Sequence, residues 1–90
     1  MRMNYKIRHA TKGVTFTLLF VDAGGPRIEV EGPNVRLYST LSPTYSLEKQ
    51  AMSIYMMLPL DVRFSVKDIA STLGTLLEMS RREQDASPQA

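Results

Sequence analysis

Cysteine is absent from the chain. No disulfide framework can staple this fold, and no thiolate can hold a zinc ion. A small secreted fold without disulfides is unusual, so the composition points to a reducing, cytoplasmic home. Long apolar runs are also missing. Runs such as Leu18 to Val21 fall far short of the roughly 20 residues that a membrane helix needs. Met1 to Lys6 show nothing of the apolar stretch of a signal peptide. Charge of one sign is scarce: 11 basic residues stand against 9 acidic ones, without the basic cluster that tracks a phosphate backbone. Direct nucleic-acid binding is therefore not expected. Histidine occurs once, as His9. A general base needs a nucleophile or a second acid beside it, and a metal ion needs more ligands than this chain clusters, so His9 reads as a solvated or edge histidine. Ala23-Gly24-Gly25-Pro26 has neither the spacing of a phosphate loop nor a helix behind it, and reads as a turn. These absences leave no expected cofactor, metal or catalytic residue, and they favour binding over catalysis.

What is present is a clear change of period. With 90 residues there is room for one domain. Tyr5 and Ile7 alternate with Lys6 and Arg8. After Thr11-Lys12-Gly13, Val14, Phe16, Leu18 and Phe20 alternate with Thr15, Thr17, Leu19 and Val21. After the breaker Asp22 to Pro26, Ile28 and Val30 alternate with Arg27, Glu29 and Glu31. Beyond Gly32-Pro33-Asn34, Val35 and Leu37 alternate with Arg36 and Tyr38. A period of two with turn residues between the runs predicts four strands, and connections this short join antiparallel neighbours.

From Ser42 the period lengthens. Ser42-Pro43 suits a helix start, and Leu47, Ala51, Ile54 and Leu58 lie on one helical face until Pro59 ends it. Ser65 and Asp68 form a variant capping box, Phe64 and Ile69 a hydrophobic staple, and Val66, Ile69, Ala70, Leu73, Leu76 and Leu77 a second stripe. Gly74 beside Ala70 makes a flat spot where another backbone can come close. Fraying is expected after Arg82. The expectation is an α+β fold, a four-stranded antiparallel meander followed by two helices packed on one sheet face (ββββαα). One domain covers residues 1–83, with a disordered tail over 84–90.

If the helices cover one sheet face, the other is exposed. Arg27, Glu29, Glu31, Arg36 and Tyr38 are its candidate binding residues, with Glu29 and Glu31 read as solvent-facing charges flanked by the arginine of the next strand rather than as a catalytic pair. Met52, Tyr55 and Met56 flank the first helix's core stripe and form a candidate self-association surface. Val66 to Gly74 also has the Ala and Gly spacing of the first helix of a helix-turn-helix, although Ser80 and Glu83 fall where its second helix would want apolar residues.

Several short pieces suggest a family. Tyr55-Met56-Met57-Leu58-Pro59 is similar to an aromatic-x-x-Leu-Pro helix ending, Ser80-Arg81-Arg82-Glu83 to a C-terminal Ser-Arg-Arg-Glu, and Arg27-Ile28-Glu29-Val30-Glu31 to a third strand. Together with the ββββαα layout, these resemble the small type I-F anti-CRISPR proteins of Pseudomonas phages. The resemblance covers most of the chain in layout and a handful of residues in identity. It implies a non-enzymatic inhibitor that binds the backbone subunits of a CRISPR surveillance complex through its sheet. Glu31 matches the acidic residue that the family uses on its third strand. The tyrosines of its first two strands are replaced here by Ile7 and Val21. The expected function is a phage-type inhibitor of a host protein complex, acting in the host cytoplasm. The alternative is a small DNA-binding regulator using the second helix, and a third reading is a homodimer paired through Met52, Tyr55 and Met56.

Overall fold

Four runs of alternating sequence fold into one open sheet: β1 (Asn4–His9), β2 (Val14–Val21), β3 (Gly25–Gly32) and β4 (Val35–Thr40). The structure, a computed structural model, describes residues 4–10, 12–21, 25–42, 44–62 and 64–86, without the side chains of 21, 25 and 83–86. The strands follow chain order as an antiparallel meander. Gly13 turns the chain between β1 and β2 with φ of 65°, a left-handed conformation that costs glycine nothing. Its N–H donates to the Ala10 carbonyl at 3.3 Å.

The register sets the two faces. Tyr5, Ile7 and His9 pair with Leu18, Phe16 and Val14, and these face Ile28 and Val30 of β3 and then Leu37 of β4. Val14, Phe16, Leu18, Ile28 and Val30 have no exposed surface. The other parity falls in three cross-strand rows: Asn4–Leu19–Arg27–Thr40, Lys6–Thr17–Glu29–Tyr38 and Arg8–Thr15–Glu31–Arg36.

Both helices lie on the apolar face. Helix α1 spans Leu47–Met57, and its cap is Ser46, whose Oγ accepts from the Lys49 N–H at 3.2 Å. The expected start at Ser42 is thus displaced by four residues. Ser42 instead holds a local turn, its Oγ accepting from the Thr44 N–H at 3.3 Å, while Pro43 lies outside the described residues. The helix stops at Leu58, which is extended (φ −78°, ψ 140°) as its place before Pro59 requires. A 3-10 turn, Leu60–Val62, leads to helix α2, Val66–Ala86. The Ser65 hydroxyl accepts from the Asp68 N–H at 3.0 Å, and Phe64 and Ile69 are both buried, as a cap with a staple should be. Backbone helix continues to Ala86, so it runs past the expected fray at Arg82 and includes the first three residues of the expected tail; residues 87–90 lie outside the described residues.

Helix α2 crosses β1 and β2 and packs against α1. Ala51, Ile54 and Leu58 from α1 and Ile69, Leu73 and Leu76 from α2 close the core. Leu47, placed by its spacing on the inner stripe, is instead exposed at the helix start, with Cδ1 3.5 Å from where a Cβ on Gly74 would stand. The flat spot at Gly74 therefore receives a leucine side chain rather than a second backbone. Among the described residues no helix is long and apolar enough to cross a membrane.

Gln50 ties α1 to the outer edge of the sheet. It is buried, and its Nε2 donates to the Thr40 carbonyl and to Ser39 Oγ, both at 2.9 Å. The Leu41 N–H donates to the Pro26 carbonyl at 3.0 Å, which places Thr40 in the alternate position whose carbonyl turns away from β3. The side-chain amide thus satisfies a backbone acceptor that an edge strand would otherwise leave open.

Candidate protein-binding face

The outer face is built by strand alternation alone. Basic residues come from β1 (Lys6, Arg8), threonines from β2 (Thr15, Thr17), carboxylates from β3 (Glu29, Glu31), and Arg36 and Tyr38 from β4. Charges of opposite sign therefore stand in neighbouring strands on β3 and β4, where cross-strand pairs attract, while the threonines of β2 separate the bases of β1 from the carboxylates. Among the described residues no element covers this face.

All five candidate residues, Arg27, Glu29, Glu31, Arg36 and Tyr38, lie on it together, but they are not equally open. Tyr38 is 47% exposed and is the largest exposed side chain of the face. The Arg27 guanidinium carbon sits 5.9 Å from the centre of its ring, within reach of a cation–π contact. Arg36 Nε lies 3.5 Å from Glu29 Oε2. The Arg36 guanidinium is held above its ordinary pKa, first by a hydrogen bond with the Tyr38 side chain, then by the charges of Tyr38, Glu31 and Glu29. The ion pair is with Glu29, while Glu31 stands directly opposite Arg36 in the register, so both carboxylates act on it. The cation therefore stands between two carboxylates and belongs to neither alone.

One expectation is corrected. Glu29 does not project into solvent beside Glu31: its side chain is only 18% exposed, whereas Glu31 is exposed. Glu29 occupies the central row between Thr17 and Tyr38, and Thr17, also read as an open position, is buried. From β4, Arg36 leans onto Glu29 at 3.5 Å. The exposed positions of the face are its two flanks, Glu31 with Arg36, Tyr38 and Thr40 on one side and Asn4, Lys6 and Arg8 on β1, and of these the corner of Glu31, Arg36 and Tyr38 carries both signs of charge and the aromatic ring.

His9 is the last residue of the edge strand β1, half-buried, as one of its two expected placements had it. It shares the parity of Tyr5 and Ile7, so it faces the helices. Its ring centre is 5.4 Å from that of Phe16 and 4.8 Å from that of Phe64, and Nε2 lies 3.0 Å from Thr72 Oγ1. Thr72 donates its own hydrogen to the Asp68 carbonyl at 2.9 Å. It must therefore accept from His9, which fixes a hydrogen on Nε2. His9, half-buried, clamps the end of β1 to α2. Its inward direction followed from counting strand parity two residues past Ile7.

The helix-turn-helix reading loses its geometry, because α2 is one uninterrupted helix from Val66 to Ala86. Arg81 and Arg82, which would serve a phosphate backbone, both turn to Glu78: Arg81 Nη2 lies 3.0 Å from Oε2, and Arg82 Nε 3.6 Å from the same atom. The candidate self-association residues divide. Met52 and Met56 are exposed, while Tyr55 is half-buried and packed against the core. Met57 and Leu60 join the exposed pair. Leu60 carries no periodic signal, since it follows Pro59 in a turn. Ile7 lies on the covered face and so does not share a surface with Glu31, while the side chain of Val21 lies outside the description. Among the described residues no three of His, Asp and Glu come together to hold a metal ion. No protein-family model matches the chain, and neither does any curated protein or solved structure.

Proposed function

We propose that this protein is a non-enzymatic inhibitor that binds a host protein complex through the outer face of its sheet. The observation that carries this reading is the uncovered, two-signed face itself: an exposed tyrosine set among Glu31, Arg36 and Arg27, with no helix laid over it. An aromatic anchor ringed by charges is the composition of a protein interface, and arginine and tyrosine are the residues that most often dominate one. Blocking a partner by occupancy needs no catalytic group. The target class proposed is a type I CRISPR surveillance complex in the cytoplasm of a phage-infected cell. It is supported by the ββββαα order, by the short sequence likenesses and by Glu31 on the open corner of the face.

The test is binding of the purified protein to a purified type I surveillance complex by surface plasmon resonance, alongside Glu31→Lys/Tyr38→Ala. Tight binding by the wild type and a loss of at least about a hundredfold in the variant are expected, as when a hot-spot aromatic and a complementary charge are removed together. Unchanged binding by a folded variant would sink the sheet-face reading. Binding of bare duplex DNA with a steep salt dependence would favour the regulator instead.

A further inference from the structure

The core stripe of α2 runs through Ile69, Leu73, Leu76 and Ser80, at spacings of four, three and four. The three apolar members are buried, and so is Ser80, at 4% exposed. Thr72 and Thr75 return their hydroxyl hydrogens to carbonyls one turn back, at 2.9 Å each. Among the described residues the Ser80 Oγ has no such partner, nor any other. A buried hydroxyl left unpaired costs stability, and its place in the core stripe would suit an apolar residue. Ser80 lines a cavity of about 500 Å³, together with Phe20, Leu47, Gly74 and Leu77 and the charged residues Glu78 and Arg81. Leu47 and Leu77 also line a second, mainly apolar cavity of about 330 Å³ that reaches Pro26, Leu41 and Tyr45. Both volumes fall in the range of small-molecule sites.

We infer that the two adjoining cavities form a binding site for a small uncharged molecule with an apolar body and one hydroxyl group, an aliphatic alcohol being its simplest form. The ligand hydroxyl meets Ser80, whose Oγ can both donate and accept. The apolar body lies between Phe20, Leu47 and Leu77, and its far end enters the second cavity toward Leu41. The site selects against charge. Glu78 and Arg81, the charged residues of its walls, are bonded to each other, with Arg81 Nη2 3.0 Å from Glu78 Oε2. A charged ligand would leave water and find those two groups already paired. Gly74 keeps the space open: a Cβ there would meet Leu47 Cδ1 at 3.5 Å, and a longer side chain would run into the cavity. The stability given up at Ser80 is thus recovered when a ligand answers its hydroxyl. The site lies on the helix side of the sheet, so it is independent of what the outer face binds.

Titration of the full chain with octanol, followed by methyl NMR, tests this. A single molecule should bind with a Kd between about 10 µM and 1 mM and shift the methyl signals of Leu47 and Leu77. Octanoate, which has the same chain length and carries a charge, should bind at least about tenfold more weakly at neutral pH. Gly74→Leu places a side chain in the cavity and is a better helix former, so it should fold normally and lose affinity at least about tenfold. Ser80→Ala should weaken octanol binding several-fold. Without ligand the same variant should raise the midpoint of urea unfolding, because it deletes an unpaired buried hydroxyl. A wild type with no saturable binding below about 1 mM overturns the proposal. So do equal binding by Gly74→Leu, octanoate binding as tightly as octanol, and shifts confined to Met52, Met56 and Leu60. A Ser80→Ala protein that binds as before, or that unfolds more easily, overturns it as well.

Discussion

The two faces of the sheet come from the same four strands and the same turns, yet they differ in what holds them. The inner face is fixed by exclusion of water. Val14, Phe16, Leu18, Ile28 and Val30 have no exposed surface, and rings from neighbouring strands meet there at right angles, as between Tyr5 of β1 and Phe20 of β2. The outer face is held by side chains that lean on one another in contact with solvent: Arg27 on Tyr38, and Arg36 between Glu29 and Glu31. Contacts of the first kind are non-directional and collectively large, whereas those of the second are screened and individually small. A surface of the second kind can be rearranged against a partner at little cost to the fold, which is the property a binding face needs.

The sharpest way to break this contrast is to cut the inner face. Phe16→Ala removes a fully buried ring that meets Phe64 at 5.7 Å and His9 at 5.4 Å. It should cost about 3–5 kcal/mol, read as a lower midpoint of urea unfolding. A cost under about 1 kcal/mol would mean that the rings are not packed as described. The edge comes next. Gln50→Ala leaves the Thr40 carbonyl and Ser39 hydroxyl without their amide partner in a partly buried site. It should cost about 1–3 kcal/mol. Faster hydrogen exchange in β4 than in β2 would show that the loss is local to the edge. Equal exchange in both would refute the edge role given to Gln50.

How much of this could be read in the sequence differs between the two faces in the same way. Strand alternation placed the apolar inner residues from Tyr5 to Leu37 correctly, because a one-residue slip would turn the whole apolar set to water. The caps at Ser65 and Pro59 were legible because they act within one turn of the chain. Ser42 misled because serine before proline satisfies the local rule for a helix start. Ser46, which has Glu48 in the first turn behind it, satisfies the same rule closer to the apolar stripe. On the outer face, membership was legible but degree of exposure was not. Whether Glu29 or Glu31 is covered depends on how the side chains of the neighbouring strand, Arg36 on Glu29 among them, lean across the face, a packing outcome that no local period encodes. Gln50 escaped notice for a related reason: its partners, Ser39 and Thr40, are in a strand that the helical pattern does not mention.

The smallest expected effect is also the most discriminating. Glu29 and Glu31 are two residues apart on one strand and one face, and alternation alone cannot tell them apart. In the structure Glu29 is mostly covered and lies beside Arg36 and Thr17, while Glu31 is exposed at the end of the sheet. Glu31→Lys should therefore change folding stability by less than about 0.5 kcal/mol. Glu29→Lys forces a longer cation into a covered position beside an existing one, and should cost about 1 kcal/mol. Parallel urea titrations of the two variants separate these values, and the difference between them should shrink as salt screens the repulsion. Equal costs would mean that the centre of the face is as open as its corner, and the binding surface would then extend over the whole sheet. If only Glu29→Lys is destabilising, the Glu31 end, where Arg36 and Tyr38 also stand exposed, is the part of the proposed binding face that can change without cost to the fold.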